Sequence, residues 1–320
     1  AAGDDTRVAS TLAEVVQALS AEAPWPRPDD RELLDDAPAV PDLAEVRGQP
    51  TARRALEIAA AGAHHLLLVG PPGSGKTMLA QRLPGLLQPL DDQRSLEATM
   101  VHSAAGVRLP PGGLVRHPPF RAPHHSTTMV ALVGGGSVAL RPGEVSLSHG
   151  GVLFLDELGE FSPVALDGLR QPLEEGVIRV ARARAAAVMP ARFLLVAATN
   201  PCPCGGGAPG ACECDETARQ RYLRRLSGPL LDRFDLRVGV DRTATDDLLS
   251  GTGAEPTAAV AQRVAAARAL ALDRGGIPNS QIPPGRLDEL APLSPAAIGL
   301  LRLRLESGDL TGRGYHRIRR

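Results

Sequence analysis

The run Gly70-Pro-Pro-Gly-Ser-Gly-Lys-Thr77 sets a lysine and a hydroxyl behind a loop rich in glycine. Such a loop can curl until successive backbone N–H groups face one centre, and at the start of a helix the dipole adds positive potential there. The chemistry that needs both is phosphate binding. Lys76 can then reach the β- and γ-phosphates of a nucleotide and the Thr77 hydroxyl can ligate Mg²⁺, while Gly70, Pro71, Pro72, Gly73, Ser74, Gly75 and Met78 complete the binding segment. Lys76 is also the single lysine of a chain whose basic residues number 35. In a protein with 34 glycines a lone match could arise by chance, so the site needs a second half.

Val152-Leu-Phe-Leu-Asp156-Glu157 supplies it, an apolar strand ending in two adjacent carboxylates. Asp156 suits a water-mediated hold on Mg²⁺, and Glu157 suits polarisation of the attacking water as general base. A solvated strand end is the alternative for the pair, and the order of the two halves argues against it. A third apolar run, LLVAATN, ends in Asn200, where a polar side chain can orient that water; an Asn at a strand end is as often a turn former.

These side chains need a scaffold, and the pattern predicts one. TARRALEIAAAGAHH reads as a helix, HLLLVG as a buried strand running into the glycine loop, and Lys76 to about Leu87 as the helix after it. From Ala98 to Gly143 there is no acidic residue but four Arg and four His, with many Gly and Pro, which predicts loops and hairpins. GGVLFLDE is a second buried strand; Ser162-Pro163 cap a helix that ends at Gly176. VIRVARARAAAVMPARF alternates as a hairpin does, and LLVAATN is a third buried strand. Strands alternating with helices imply an α/β fold on a parallel sheet. Residues 241–255 are polar and read as a connection, and from Pro256 the pattern is helical, a small α-helical domain. The expected division is 1–41, a tail and a Pro- and Asp-rich linker; 42–240, the nucleotide-binding core; and 241–320, the connection and helical domain.

With 43% apolar residues the chain can build a sizeable core, and a net charge of −1 excludes a broadly basic nucleic-acid coat, so any such contact is local. Only 2% of residues are aromatic, too few for base-stacking platforms. No apolar run approaches the length of a membrane span and no signal peptide opens the sequence, so a soluble, cytoplasmic protein is expected.

Four thiols crowd into one short segment, as Cys202-Pro-Cys204 and Cys212-Glu-Cys214. Four sulfurs suit a tetrahedral structural Zn²⁺, with Gly205 to Gly207 and Gly210 allowing the chain to fold back; free buried cysteines or an iron–sulfur cluster are the alternatives. Between Glu175 and Cys202 there is again no acidic residue, while Arg179, Arg182, Arg184 and Arg192 lie on the predicted hairpin. They suit either phosphate contact or a solvated, salt-bridged hairpin. The pair His124-His125 lacks an evident third metal ligand, which favours loop packing or pore contact.

Taken in order, the glycine loop, the strand ending Asp-Glu and the strand ending Asn look like an AAA+ ATPase, with Walker A, Walker B and sensor 1. Ser227-Gly-Pro-Leu-Leu-Asp-Arg-Phe-Asp235 resembles the segment carrying the arginine finger, which puts Arg233 in that role and implies a ring. FRAPHHSTTMVALVGGG, RPGEVSLSHGGVLFLDEL, LRQPLEEG and AATNPCPCG resemble more narrowly the magnesium-chelatase-like proteins of the YifB/ComM group, over about Asp42 to Arg320. That likeness implies a five-stranded parallel sheet with hairpin inserts projecting to a central pore, an α-helical lid with Arg313 as sensor 2, and ATP and Mg²⁺ as ligands. It further implies a homo-oligomer, a hexameric ring, working on DNA as ComM-type branch-migration helicases do in natural transformation. A chelatase-type motor subunit and a chaperone-like ATPase are the rival functions. Members usually carry an N-terminal Lon-like domain, of which residues 1 to about 22 would be the tail.

Overall fold

The computed structural model describes residues 9, 11–21, 23–25, 38–136, 140–182, 185–206, 212–225, 228–249 and 254–320, with the backbone alone at 181, 182, 185, 223–225, 228 and 229. Arg184, Gly207, Gly210, Ser227 and residues 1–8, 10, 22 and 26–37 of the expected tail and linker lie outside the described residues, as does the Arg182 side chain.

The strands among them are β1 (Leu66–Val69), β2 (Phe120–Arg121), β3 (Gly134–Gly135), β4 (Arg141–Pro142), β5 (Val152–Leu155), β6 (Val177–Arg182), β7 (Ala185–Pro190), β8 (Leu194–Thr199) and β9 (Leu236–Gly239). Five of them form one sheet in the order β2-β5-β8-β1-β9, with every neighbouring pair parallel, as expected. The predicted hairpin is the antiparallel pair β6–β7, and β3–β4 make a second small ladder.

The central strands are apolar throughout because both sheet faces are covered. Leu66, Leu68, Val152, Phe154, Val196 and Ala198 pack on one side with Leu56, Leu79 and Leu83. Leu67, Leu153, Leu155, Leu195 and Ala197 point the other way, against Phe161, Leu166, Ile178 and Phe234. On the first side, helix Thr257–Gly275 lies on helix Pro50–Gly62 and buries Val260 and Val264 in the same core. Arg268 Nε donates to Ala60 O at 2.7 Å across that seam. The helical region therefore begins by packing on the nucleotide-binding core, and Ile282, Leu287 and Leu290 make a separate cluster with Ile277 and Ala291 against it.

Two helical segments differ from the expectation. The stretch read as loops from Ala98 opens inside helix Asp92–Ala105, and a short helix, Met129–Val133, follows later. Asp91 caps the longer helix by accepting from Arg94 N at 2.8 Å, and Gly106 ends it at φ +76°. The helix announced by Ser162-Pro163 starts there, with Ser162 Oγ accepting from Ala165 N at 3.2 Å, but it is two pieces, Pro163–Asp167 and Arg170–Glu175. Pro172 has no N–H for the Gly168 carbonyl, so the ladder breaks there; Gly176, at φ +68°, closes the second piece as predicted. No helix of the described residues is long and apolar enough to cross a membrane.

Candidate nucleotide site

The parallel register brings the carboxyl ends of β1, β5 and β8 to one edge, where open α/β sheets bind ligands. At that edge Gly70 N donates to Thr199 O at 3.1 Å and Val240 N to Val69 O at 2.8 Å, which pins the loop between two strands. A Cβ on Gly70 would stand 2.0 Å from Val240 O, so only glycine fits. Gly73 and Gly75 turn the loop at φ +75° and +88°, in the left-handed region.

Lys76 starts the following helix, Lys76–Arg82, and its side chain is folded into the loop, 8% exposed. Its Nζ donates to Gly70 O and Pro71 O, each at 2.8 Å, and reaches Asn200 Oδ1 at 3.4 Å. Burial lowers its pKa, and the Asp156 and Glu157 carboxylates oppose that shift. Ser74 Oγ is buried without a hydrogen-bond partner among the described residues. A cradle of glycines, a buried ammonium and an unpaired hydroxyl fit phosphate oxygens. Met78 is exposed, and its carbonyl accepts from Arg82 Nη1 at 2.7 Å.

Thr77 Oγ1 donates to Asp156 Oδ2 at 2.6 Å, so the two expected Mg²⁺ ligands touch. Asp156 Oδ1 accepts from Glu157 N at 2.9 Å, and Glu157 itself is held at φ +53°, a left-handed conformation rare outside glycine. Its Oε2 meets His125 Nδ1 at 3.1 Å. The ring of His124 lies against that of His125, centroids 4.0 Å apart, and accepts or donates at Ser126 Oγ, 2.8 Å away. Sequence alone singled out this histidine pair but not its partner; the contact joins a loop between the two Walker segments to the carboxylate expected to act as base.

Asn200 is fixed from behind. Tyr222 OH donates to Asn200 O at 3.1 Å and lies 2.8 Å from Thr199 Oγ1, while its ring fills the space over Gly159. Tyr222 is one of two tyrosines in the chain, and nothing in the sequence pattern assigned it to the site.

Arg233 and Arg313 lie together, in a cleft of about 1100 Å³ bounded also by Glu174, Arg317 and Arg320. Arg233 pairs with Glu174, and Arg313 Nη1 is 3.8 Å from Asp232 Oδ2. Burial lowers the Arg233 pKa, and the neighbouring Arg313, Arg170 and Arg317 push it the same way. Its Nε is buried and without a hydrogen-bond partner among the described residues.

Of the hairpin arginines, Arg179 is exposed and pairs with Glu175, the last residue of the preceding helix. Arg192 sits at the hairpin base: its carbonyl accepts from Gly150 N at 2.7 Å and its side chain lies over Gly176. The four cysteine sulfurs converge, all within 4.8 Å of one another.

Comparison with known proteins assigns most of the chain to one family. Residues 42–248 match the family described as magnesium chelatase, subunit ChlI, and residues 254–320 match that subunit's C-terminal family. An uncharacterized protein of Mycobacterium tuberculosis is 52% identical over 280 residues, covering 86% of this chain and 56% of its own length. Competence protein ComM of Haemophilus influenzae is 42% identical over 321 residues, 98% of this chain and 62% of its own. Protein YifB of Escherichia coli is 45% identical over 268 residues, 83% of this chain and 52% of its own. The chain thus spans between half and two thirds of the length of these three relatives.

Proposed function

We propose that this chain, which belongs to the magnesium chelatase subunit ChlI family of AAA+ ATPases, is the motor core of an ATP-driven ring that acts on DNA. The observation that carries the motor reading is the meeting of Lys76 with Asn200 and of Thr77 with Asp156 at one edge of the sheet. Residues 70–78 would cradle the phosphates with their N–H groups, and Lys76 would turn from its loop carbonyls to the γ-phosphate. Thr77 and Asp156 would hold Mg²⁺, which supplies neutralising charge at the β- and γ-oxygens. Glu157 would take a proton from the attacking water while Asn200 orients it, and His125 would hold the Glu157 carboxylate in place.

Arg233 and Arg313 share one cleft, away from their own chain's phosphate loop in sequence and joined by Asp232. We read both as donors to the γ-phosphate held by a neighbouring subunit, where a guanidinium fork stabilises developing charge. That role requires a ring, and a hexamer is the reading taken from the ComM-type likeness. Arg179 and Arg192, with Arg182 and Arg184 of the same acid-free segment, are the candidates for contact with DNA phosphates in its pore. A structural Zn²⁺ at Cys202, Cys204, Cys212 and Cys214 completes the assignment.

The family match itself favours one second reading, a motor that remodels a metal-inserting partner. The test is ATP hydrolysis by the full-length protein with and without forked or single-stranded DNA. Stimulation by DNA, weakening with salt as phosphate contacts are screened, is expected. Robust hydrolysis indifferent to DNA would transfer the chain to the partner-remodelling reading.

A further inference from the structure

The cysteine segment is built against the phosphate loop. Gly205 N donates to Cys202 O at 3.0 Å, closing a tight turn in which Gly205 has φ +79°. A Cβ there would stand 2.5 Å from Pro72 Cδ and 2.9 Å from its Cγ, so the turn is pressed directly on the Pro72 ring. Pro72 follows Pro71, whose carbonyl receives Lys76 Nζ at 2.8 Å. At its start the same segment leaves Asn200, and at its end it enters helix Glu216–Arg225, which returns Tyr222 to the Asn200 carbonyl.

The sulfurs have the arrangement a metal asks for. Sγ separations are 3.4 Å for Cys202–Cys204, 3.6 Å for Cys202–Cys212 and 3.8 Å for Cys204–Cys212. A tetrahedral Zn²⁺ with bonds of about 2.3 Å has sulfur–sulfur edges of about 3.8 Å, whereas a disulfide needs about 2.0 Å. Backbone N–H groups point at two of the sulfurs, Cys204 N to Cys214 Sγ at 3.4 Å and Gly206 N to Cys204 Sγ at 3.5 Å, the outer hydrogen bonds that steady thiolate ligands.

We propose that the four thiolates bind Zn²⁺ and that the knuckle they close is a brace for the nucleotide site, with Gly205 the wall behind Pro72. The inference rests on the zinc reading above for the ion, and on the Gly205–Pro72 contact for the consequence. With the ion in place, the wall fixes the Pro71–Pro72 backbone that Lys76 uses and holds the chain leaving Asn200. Without it, the described part of the segment is left with the Gly205 N–Cys202 O bond and weak contacts at sulfur, and the loop that must present its N–H groups to phosphate loses one side of its support.

The experiment measures metal content and the affinity for a fluorescent ATP analogue in the full-length protein. The forms compared are as purified, stripped with a thiol-competing chelator, and reloaded with Zn²⁺, alongside Cys204→Ser and Gly205→Ala. One zinc per chain is expected. Stripping and Cys204→Ser should each weaken nucleotide binding about tenfold, and reloading should restore only the stripped protein. Gly205→Ala should keep its zinc and still bind nucleotide more weakly, because the added carbon displaces Pro72. Absence of zinc from protein whose four thiols titrate as free would overturn the ion assignment. Zinc present, with stripped and Gly205→Ala proteins binding as the wild type does, would overturn the brace and leave the metal site standing. If Cys204→Ser fails to fold, the stripped and Gly205→Ala arms decide, and neither depends on DNA.

Discussion

Replacing Lys76 by arginine keeps the charge, yet it should cut turnover by about two orders of magnitude. The ammonium sits in a slot, 8% exposed, with Gly70 O and Pro71 O at 2.8 Å and Asn200 Oδ1 at 3.4 Å around one nitrogen. A guanidinium brings three nitrogens in a rigid plane, and two of them would have to displace the loop backbone that also forms the phosphate cradle. Overfilling a packed site costs about 1–3 kcal/mol, and a lost hydrogen bond to a charged group about 1.5–3 kcal/mol. If only about 3 kcal/mol of this falls on the transition state, hydrolysis drops by about 150-fold. The assay is phosphate release at saturating ATP, with thermal unfolding as the check that the variant is folded. Turnover within about threefold of wild type, at unchanged nucleotide affinity, would refute the slot argument.

Arg233→Ala should lower hydrolysis by about a thousandfold or more while nucleotide affinity in the isolated chain is unchanged. Mixing it with Lys76→Ala, which keeps a good finger but lacks the phosphate-binding ammonium, should recover part of the activity; recovery of none would sink the assignment in trans. His65 offers a pH test of stability: its Nδ1 accepts from Leu195 N at 3.0 Å, and desolvation, followed by the neighbouring His64 and Arg233 charges, outweighs Asp235 to bring its pKa to about 4 from 6.5. Between those values the unfolded chain binds a proton that the native one does not. Stability is therefore full above about pH 6.5 and falls toward pH 4, by up to about 3 kcal/mol. His65→Asn, whose Oδ1 can accept from the same N–H, should flatten the urea midpoint between pH 5 and pH 7; an unchanged slope would remove His65 as the cause.

The sheet was legible because its strands are buried on both faces, so Leu66–Val69, Val152–Leu155 and Leu194–Thr199 are unbroken apolar runs ending in polar chemistry. Helix limits were legible where a cap is spelled in one residue, as at Ser162 and Gly176. Helix Asp92–Ala105 was not, because the positions it buries include Ser95, Thr99 and His102, which blur any apolar period. Two of those polar groups are satisfied only in three dimensions: Thr99 Oγ1 donates to Ser95 O at 2.6 Å and accepts from Val115 N at 2.9 Å, and His102 Nε2 lies 3.0 Å from Leu147 O, while Ser95 Oγ is buried without a hydrogen-bond partner among the described residues. The same limit hid the His125–Glu157 contact, the Tyr222–Asn200 bond and the seat of Gly205 on Pro72, since each joins segments that sequence order keeps apart.

What arginine does elsewhere in the chain explains why a single lysine survives in it. Arg82, buried, donates from Nε to Asp42 O at 3.0 Å, from Nη1 to Met78 O at 2.7 Å and from Nη2 to Glu45 Oε2 at 2.5 Å, three acceptors in three directions. Arg53 ties Val46 O at 3.0 Å to Glu255 O at 2.7 Å, and Arg121 grips Glu144 with two bonds of 2.6 and 2.8 Å. At Arg82 and Arg53 a fixed fork spans acceptors on separate residues, and at Arg121 it matches two N–H groups to the two oxygens of one carboxylate. At Lys76 the acceptors converge on one point, and on the reading proposed here that point must also swing from loop carbonyls to a phosphate. A flexible stem with a single compact charge can make that exchange without disturbing the cradle, while a fork anchored at several acceptors would have to release them together. The geometry of the slot, not the charge alone, is what excludes arginine in a chain that otherwise uses little else.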